Sequence, residues 1–218
     1  MSDSLTKINQ LKHIESFIQT NLYKGYIFID KAGEIINHFY IGDTPPNVPL
    51  ISPSGMTILK PNNITAELTV APNAVWEHFL NPNSLDQIAT SYSKNLIDIV
   101  SILKVDKVTR VGWRNYFVYE YDSIGDREQS LKKFSVEEAL KAQAASYSFE
   151  LKNFISTLSI SKISKNDQKQ TPAILIDIDT YIVHDKPGGM KEAESELIEI
   201  RKAIQSPELL EKINLLIK

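Results

Sequence analysis

The chain has 218 residues, of which 42% are hydrophobic and 23% are charged, as is typical of a soluble globular protein. Its 24 Lys and Arg against 27 Asp and Glu give a net charge of −3, which excludes a global basic field for nucleic acid or anionic lipid. Cysteine is absent, which excludes disulfides and thiolate chemistry. No signal peptide or membrane-length apolar run is visible, so we expect a cytoplasmic protein that does not associate with membranes.

The N-terminal part of the chain predicts a helix, two strands and a loop. Apolar residues spaced by three and four favour an amphipathic helix over residues 4–22. Residues 26–30 and 34–40 are rich in aromatic and β-branched side chains and favour two strands joined by a turn. Four prolines between Gly42 and Gly55 exclude a helix or a central strand, so we expect an ordered loop there.

The following segments predict a hairpin and a second helix. β-branched runs at residues 56–59 and 64–70 flank a Lys-Pro-Asn-Asn turn, a pattern typical of a hairpin. Residues 76–79 are closed by a proline and favour a short turn or helical piece. Residues 84–103 carry one apolar stripe behind the cap Ser84 and predict a long helix.

The second half of the chain again predicts strands followed by a helix. Residues 108–117 favour a strand, and a capping box predicts a short helix over 135–145. Alternating residues over 149–163 favour one bent strand, and an aliphatic run predicts another over 173–182. The chain closes with a predicted helix over 190–217 that a proline interrupts.

This order of elements predicts the fold class. Strands followed by a long helix occur twice, which favours an α+β fold, an antiparallel sheet with long helices packed on it, and suggests two β-β-β-α halves. The halves share negligible sequence similarity, and no linker is evident. We therefore expect residues 1–218 to form a single α+β domain.

Two strands carry charged residues on one face. Arg110 and Arg114 are four residues apart, and Asp177 and Asp179 are two apart, so a period of two places each pair on one face of its strand. The four residues predict an ion-pair network that holds the sheet. The alternatives are an anion site at the two arginines or a metal site at the two aspartates, for which two carboxylates are too few ligands.

The last helix predicts an interface. Its apolar stripe is wider than one sheet face requires, and the excess is centred on Leu209, Leu210, Ile213 and Leu216. Either the N-terminal helix or a second copy of the chain would cover these residues. Since two-fold dimers are the commonest soluble oligomers, a homodimer is favoured.

Other groups of polar residues are better explained by a structural role than by a binding or catalytic site. Seven lysines lie between residues 132 and 169, interleaved with aromatic residues, as on a nucleic-acid surface. Acidic residues dilute them, so nucleic-acid binding is not favoured. The four histidines lack the spacing of a helical zinc site, and Trp76-Glu77-His78-Phe79 favours an aromatic anchor over a catalytic dyad. We expect no metal, no cofactor and no catalytic residue.

Short motifs resemble a sporadically distributed family of uncharacterised bacterial proteins. They are Trp76-Glu77-His78-Phe79, the strand Arg110-Val111-Gly112-Trp113-Arg114-Asn115, the run Leu175-Ile176-Asp177-Ile178-Asp179 and the helical pair Ile200-Arg201. The chain departs from that pattern at positions 113 and 115, where an aliphatic residue and Tyr are commoner. The resemblance implies an intracellular bacterial protein with an α+β fold and supplies no catalytic residues.

The sequence therefore favours a non-catalytic partner-binding or accessory protein, because no dense cluster of acid, base or metal-ligating residues is visible. An enzyme or small-anion sensor that uses Arg110, Arg114, Asp177 and Asp179 is the first alternative. A nucleic-acid-binding protein that uses the lysines of residues 132–169 is the second.

Overall fold

The computed structural model of the protein describes residues 5–23, 28–39, 50–134, 144–164 and 171–217. Within these ranges nine strands and five α-helices follow one another. They are β1 (Lys12–Leu22), α1 (Phe28–Phe39), β2 (Leu50–Ser52), β3 (Gly55–Leu59), β4 (Glu67–Ala71), β5 (Ala74–Leu80), α2 (Leu85–Leu103), β6 (Lys107–Glu120), α3 (Ile124–Lys132), β7 (Ala144–Leu151), β8 (Phe154–Ser164), β9 (Pro172–Gly189), α4 (Met190–Ile204) and α5 (Pro207–Ile217).

The strands join one sheet in the order β2-β3-β4-β5-β1-β6-β9-β8-β7. The pairs β2–β3, β3–β4, β4–β5, β5–β1 and β7–β8 are antiparallel. The predicted α+β fold, an antiparallel sheet with long helices, is thereby confirmed. Strands β6 and β9, which carry the arginines and the aspartates, are neighbours in the sheet. Among the described helices, none is both long and apolar enough to cross a membrane.

The chain forms two compact units. The first unit comprises Met1–Ile14, Arg114–Thr180 and Lys202–Lys218, and the second comprises Glu15–Trp113 and Tyr181–Arg201. Each unit has buried apolar residues of its own. The expectation of a single domain over residues 1–218 stays a prediction.

The core of the second unit lies between its strands and its helices. Helix α2 starts behind Ser84, whose hydroxyl accepts a hydrogen bond from the backbone N–H of Gln87 at 3.2 Å, as the sequence predicts. The Tyr92 hydroxyl donates to the Val75 carbonyl at 3.0 Å and fixes α2 against β5. The buried apolar residues of α2 are Leu85, Ile88, Ala89, Tyr92, Leu96, Ile99, Val100 and Leu103.

The predicted N-terminal helix is wrong. Residues 8–10 form a single 3₁₀ turn, and β1 follows over Lys12–Leu22. In β1 the buried residues alternate as Ser16, Ile18, Thr20 and Leu22, so the true period is two. Two of these four are polar, and a search for apolar periodicity therefore does not detect them.

Two strand predictions and one turn prediction are also wrong. Residues 28–39 form helix α1, whose buried residues Phe28, Ala32 and Ile35 have helical spacing. Residues 76–79 belong to strand β5 and are not a turn.

Of the predicted proline-rich loop, residues 42–49 lie outside the described residues, and Leu50–Ser52 is the edge strand β2. The predicted hairpin is confirmed as β3 and β4.

In the second half, the predicted strands around residues 110 and 177 and the predicted closing helix are confirmed. The closing helix is divided into α4 and α5, and α5 starts at Pro207 as expected from its missing N–H. The single bent strand is wrong, because β7 and β8 form a hairpin whose turn residue Lys152 has a φ of 58°. Helix α3 was not predicted, and most of the predicted helix over 135–145 lies outside the described residues.

The candidate interface residues of α5 lie in the core of the first unit. Leu209, Leu210 and Ile213 are buried, and Leu216 is half-buried. The Tyr121 hydroxyl helps to fix this end of the helix, since it donates toward the carbonyl of Ile217 at 3.2 Å. Most of the apolar side chains with which the interface was argued are therefore covered within one chain, and an interface at this helix stays a prediction.

Candidate functional site

The predicted pair of Arg114 and Asp177 forms in the first unit. The Nε atom of Arg114 donates to Oδ1 of Asp177 at 2.9 Å, and Nη2 donates to Oδ2 at 2.6 Å. The Arg114 side chain is 48% exposed and the Asp177 side chain 16%. These hydrogen bonds raise the pKa of Arg114 above its usual range, and the nearby charge of Asp179 acts in the same direction. The geometry is the bidentate ion pair that the sequence favours.

Arg110 lies in the second unit and has a different partner. Its guanidinium carbon is 4.9 Å from the centre of the Tyr181 ring, a cation–π contact. The guanidinium lies along the strand over Gly112, where a Cβ atom would be only 3.0 Å from Nη2. Gly112 therefore leaves the space that Arg110 occupies, which explains the glycine between the two arginines.

The strand registers define an outer face of the second unit, opposite to the face that α2 covers. Residues that pair directly across strands share a face of the sheet. One row of the outer face crosses four strands as Leu59, Glu67, His78 and Phe17. A second row crosses the same strands as Thr57, Thr69, Trp76 and Gln19. Most of these side chains are half-buried or exposed.

Polar and aromatic contacts hold the centre of the outer face in place. The rings of Phe17 and His78 stack with their centres 4.2 Å apart and an angle of 7° between their planes. The Nε2 atom of His78 lies 2.6 Å from Oε1 of Glu15, which also belongs to this face. Such contacts restrict the rotamers of the three side chains.

Large apolar side chains on the outer face are exposed. Leu59 is 39% exposed, and Leu80, which pairs with Glu15, is 53% exposed. Val183 is 58% exposed and follows Tyr181 by two residues on the same face of β9. This face also carries aromatic residues and Arg110, residue types that are enriched at protein interfaces.

The covered face of the second unit contains a buried acid, Glu77. Its Oε2 atom accepts a hydrogen bond from the Thr65 hydroxyl at 3.0 Å, and its Oε1 atom accepts one from the Asn95 amide at 2.8 Å. Burial raises the pKa of Glu77 to about 7, although both hydrogen bonds act in the opposite direction. The sequence did not single out Glu77, because its apolar neighbours favoured an aromatic anchor.

A second titratable group lies where β9 meets α4. The Nε2 atom of His184 is 3.0 Å from Oε2 of Glu196, and Glu192 is the third member of the group. One potential ligand atom from each residue lies within 4.8 Å of the other two. Burial raises the pKa of Glu196, while the adjacent His184 lowers it. The histidine spacing alone gave no signal for this group, because its members meet only when α4 follows β9.

The lysine-rich segment is only partly described. Lys162 pairs with Glu128 at 2.8 Å, and the same carboxylate accepts a hydrogen bond from the buried Arg127 at 2.9 Å. These bonds lower the pKa of Glu128. Lys141, Lys165 and Lys169 lie outside the described residues. The described part therefore contains a mixed-charge cluster, which is typical of a structural ion pair.

The comparisons with known proteins give no family for this chain. No protein-family model matches the sequence, and a search of the curated proteins finds no match.

Proposed function

We propose that the protein is a non-catalytic partner-binding or accessory protein that binds another protein through the outer face of its second unit. The observation that carries the proposal is the exposure of Leu59, Leu80 and Val183 on the face that also holds the ordered pair of Phe17 and His78. Large apolar side chains that are exposed on one face of a sheet favour a site of protein interaction. The motif resemblance further supports a place in the uncharacterised bacterial family.

The preorganised side chains favour binding. Phe17 and His78 are already stacked, and Arg110 already lies on Tyr181, so a partner would immobilise few additional rotamers. A second copy of the chain is one occupant that fits, because a two-fold axis brings the same patch from both copies together. The homodimer expected from the sequence is thus proposed at this face, and no longer at α5.

The anion-sensor alternative has less support. Arg114 already makes a bidentate pair with Asp177, and the ring of Tyr181 lies under the guanidinium of Arg110. An incoming anion would have to compete with the Asp177 carboxylate for the same donors. We therefore assign these four residues to the architecture of the sheet.

A capture experiment with a matched control tests the proposed function. Tagged chain is incubated with an extract of the source cells that also contains untagged chain, and bound proteins are identified by mass spectrometry. We expect the double variant Leu59→Ser/Leu80→Ser to lose the partner. The control Ile97→Ser/Ile198→Ser removes side chains of similar exposure, 45% and 44%, from helices α2 and α4 and should retain it. Equal capture by both variants, or none by the wild type, would count against the proposal.

A further inference from the structure

The junction of β9 and α4 brings an imidazole and two carboxylates together. His184 lies near the end of β9 in register with residues of the covered face, and α4 begins at Met190. Glu192 and Glu196 are four residues apart and therefore project from the same side of the helix. The His184 ring and the Glu196 carboxylate are in direct contact at 3.0 Å.

The site is enclosed on one side and open on the other. The His184 side chain is 8% exposed and the Glu196 side chain 13%, whereas Glu192 is an exposed residue. A Cβ atom on Gly188 would lie 2.6 Å from Oε2 of Glu192 and 2.9 Å from Nδ1 of His184. Only the missing side chain of Gly188 leaves room for the Glu192 carboxylate to approach the ring, so the backbone forms a cradle for both groups.

We propose that His184, Glu192 and Glu196 bind a divalent transition-metal ion such as Zn²⁺. One imidazole nitrogen and two carboxylate oxygens are ligands that such ions accept. The charge also fits, because the group offers two carboxylates against a single imidazole. A divalent cation compensates both carboxylates, which the single imidazole does not.

Metal binding requires the three ligand atoms to move closer together. The three ligand atoms lie within 4.8 Å of one another, and ligands around Zn²⁺ at about 2.0–2.2 Å are about 3.3–3.6 Å apart. Glu192 is exposed, and the long hydrogen bond of 3.4 Å that its Oε2 atom accepts from the Gly189 N–H would have to lengthen or break in this movement. Three protein ligands leave a fourth position for water or for a group of a partner. The ion would link β9 to α4.

The competing explanation is an ion pair between His184 and Glu196 with no metal. Isothermal titration of the full chain, prepared without a histidine tag and treated with chelator, distinguishes the two. We expect one equivalent of Zn²⁺ to bind and to raise the melting temperature. Glu192→Gln should weaken the binding at least 10-fold, a size known for altered metal sites. The control Glu194→Gln removes an equal charge from the same helix and should leave the affinity unchanged.

Either of two results would overturn the proposal. One is the absence of Zn²⁺ binding at millimolar concentration, which would leave an ion pair only. The other is equal binding by wild type and Glu192→Gln, which would show that Glu192 is not a ligand and that the proposed set of three is wrong. Glu192 is exposed, so this variant should fold like the wild type, and its melting curve without metal checks this.

Discussion

Arg114 and Asp177 face each other with two parallel hydrogen bonds, from Nε to Oδ1 at 2.9 Å and from Nη2 to Oδ2 at 2.6 Å. The carboxylate is mostly covered, at 16% exposed, while the arginine remains 48% exposed. The pair therefore lies at the boundary between a surface ion pair and a buried one. Its contribution to the free energy of unfolding should be modest, because solvent screens the arginine.

Replacement of Arg114 tests this placement. Arg114→Ala should lower the free energy of unfolding by about 1 kcal/mol, and high salt should reduce the difference. Arg114→Lys should recover part of the loss, since lysine keeps the charge but not the bidentate geometry. Urea denaturation measures the free energy of unfolding of both variants. The control is Lys107→Ala, which replaces an exposed residue of the same strand. An unchanged midpoint for Arg114→Ala would remove the structural role and revive the anion site.

The buried acid gives a prediction about pH. Burial raises the pKa of Glu77 from 4.5 to about 7, so the folded state favours the protonated carboxyl. The free energy of unfolding should therefore fall as the pH rises through this window, by on the order of 3 kcal/mol from this group. Below the lower value both states are protonated, and the contribution to stability is fully present.

Glu77→Gln should remove this pH dependence. The glutamine oxygen still accepts from Asn95, and its amide donates to the Thr65 hydroxyl, which rotates to accept. The free energy of unfolding of the variant, compared with that of the wild type at the same pH, should therefore increase as the pH rises from about 5 to about 8. Denaturation curves at both values measure the gain, with the exposed Glu67→Gln as control. A difference from wild type that is the same at both pH values would contradict the raised pKa.

A buried hydrogen bond between β6 and β1 gives the next prediction. The indole N–H of Trp113 donates to the hydroxyl of Ser16 at 2.7 Å, and both residues are 0% exposed. Ser16→Ala should cost about 1–2 kcal/mol, because the indole N–H would lose its acceptor inside the core. The control Ser146→Ala removes an exposed hydroxyl that pairs with Ser159 and should cost only tenths of that. Equal losses for both variants would contradict the argument.

Those residues also explain what the sequence could and could not predict. Helix α2 is predictable because its cap Ser84 and its apolar stripe agree with each other. Strand β1 is not, since Ser16 and Thr20 occupy core positions and their burial depends on partners far along the chain. The apolar residues that remain then have accidental helical spacing. The spacing of apolar residues distinguishes a helix from a strand only where the residues that point into the core are apolar.

The sites also differ in how far the sequence alone predicts them. The pair of Arg114 and Asp177 is predictable because period two places charges on the face of each strand opposite to its apolar residues. Glu77 lies beside aromatic residues, and nothing local indicates that Thr65 and Asn95 will surround it. The group of His184 and Glu196 depends on the direction in which α4 leaves β9. Contacts of this kind depend on tertiary packing, and the spacing of residues along a single sequence does not predict them.

Photo-crosslinking in living cells tests whether the outer face of the second unit binds a partner. A photoreactive amino acid replaces Leu80, which is 53% exposed there, or Ile97, which is 45% exposed on α2. We expect a discrete adduct from position 80 and none from position 97. An adduct of twice the 24.7 kDa chain mass would identify the partner as a second copy. No adduct from position 80, or the same adduct from both positions, would contradict the assignment of the outer face as a binding surface.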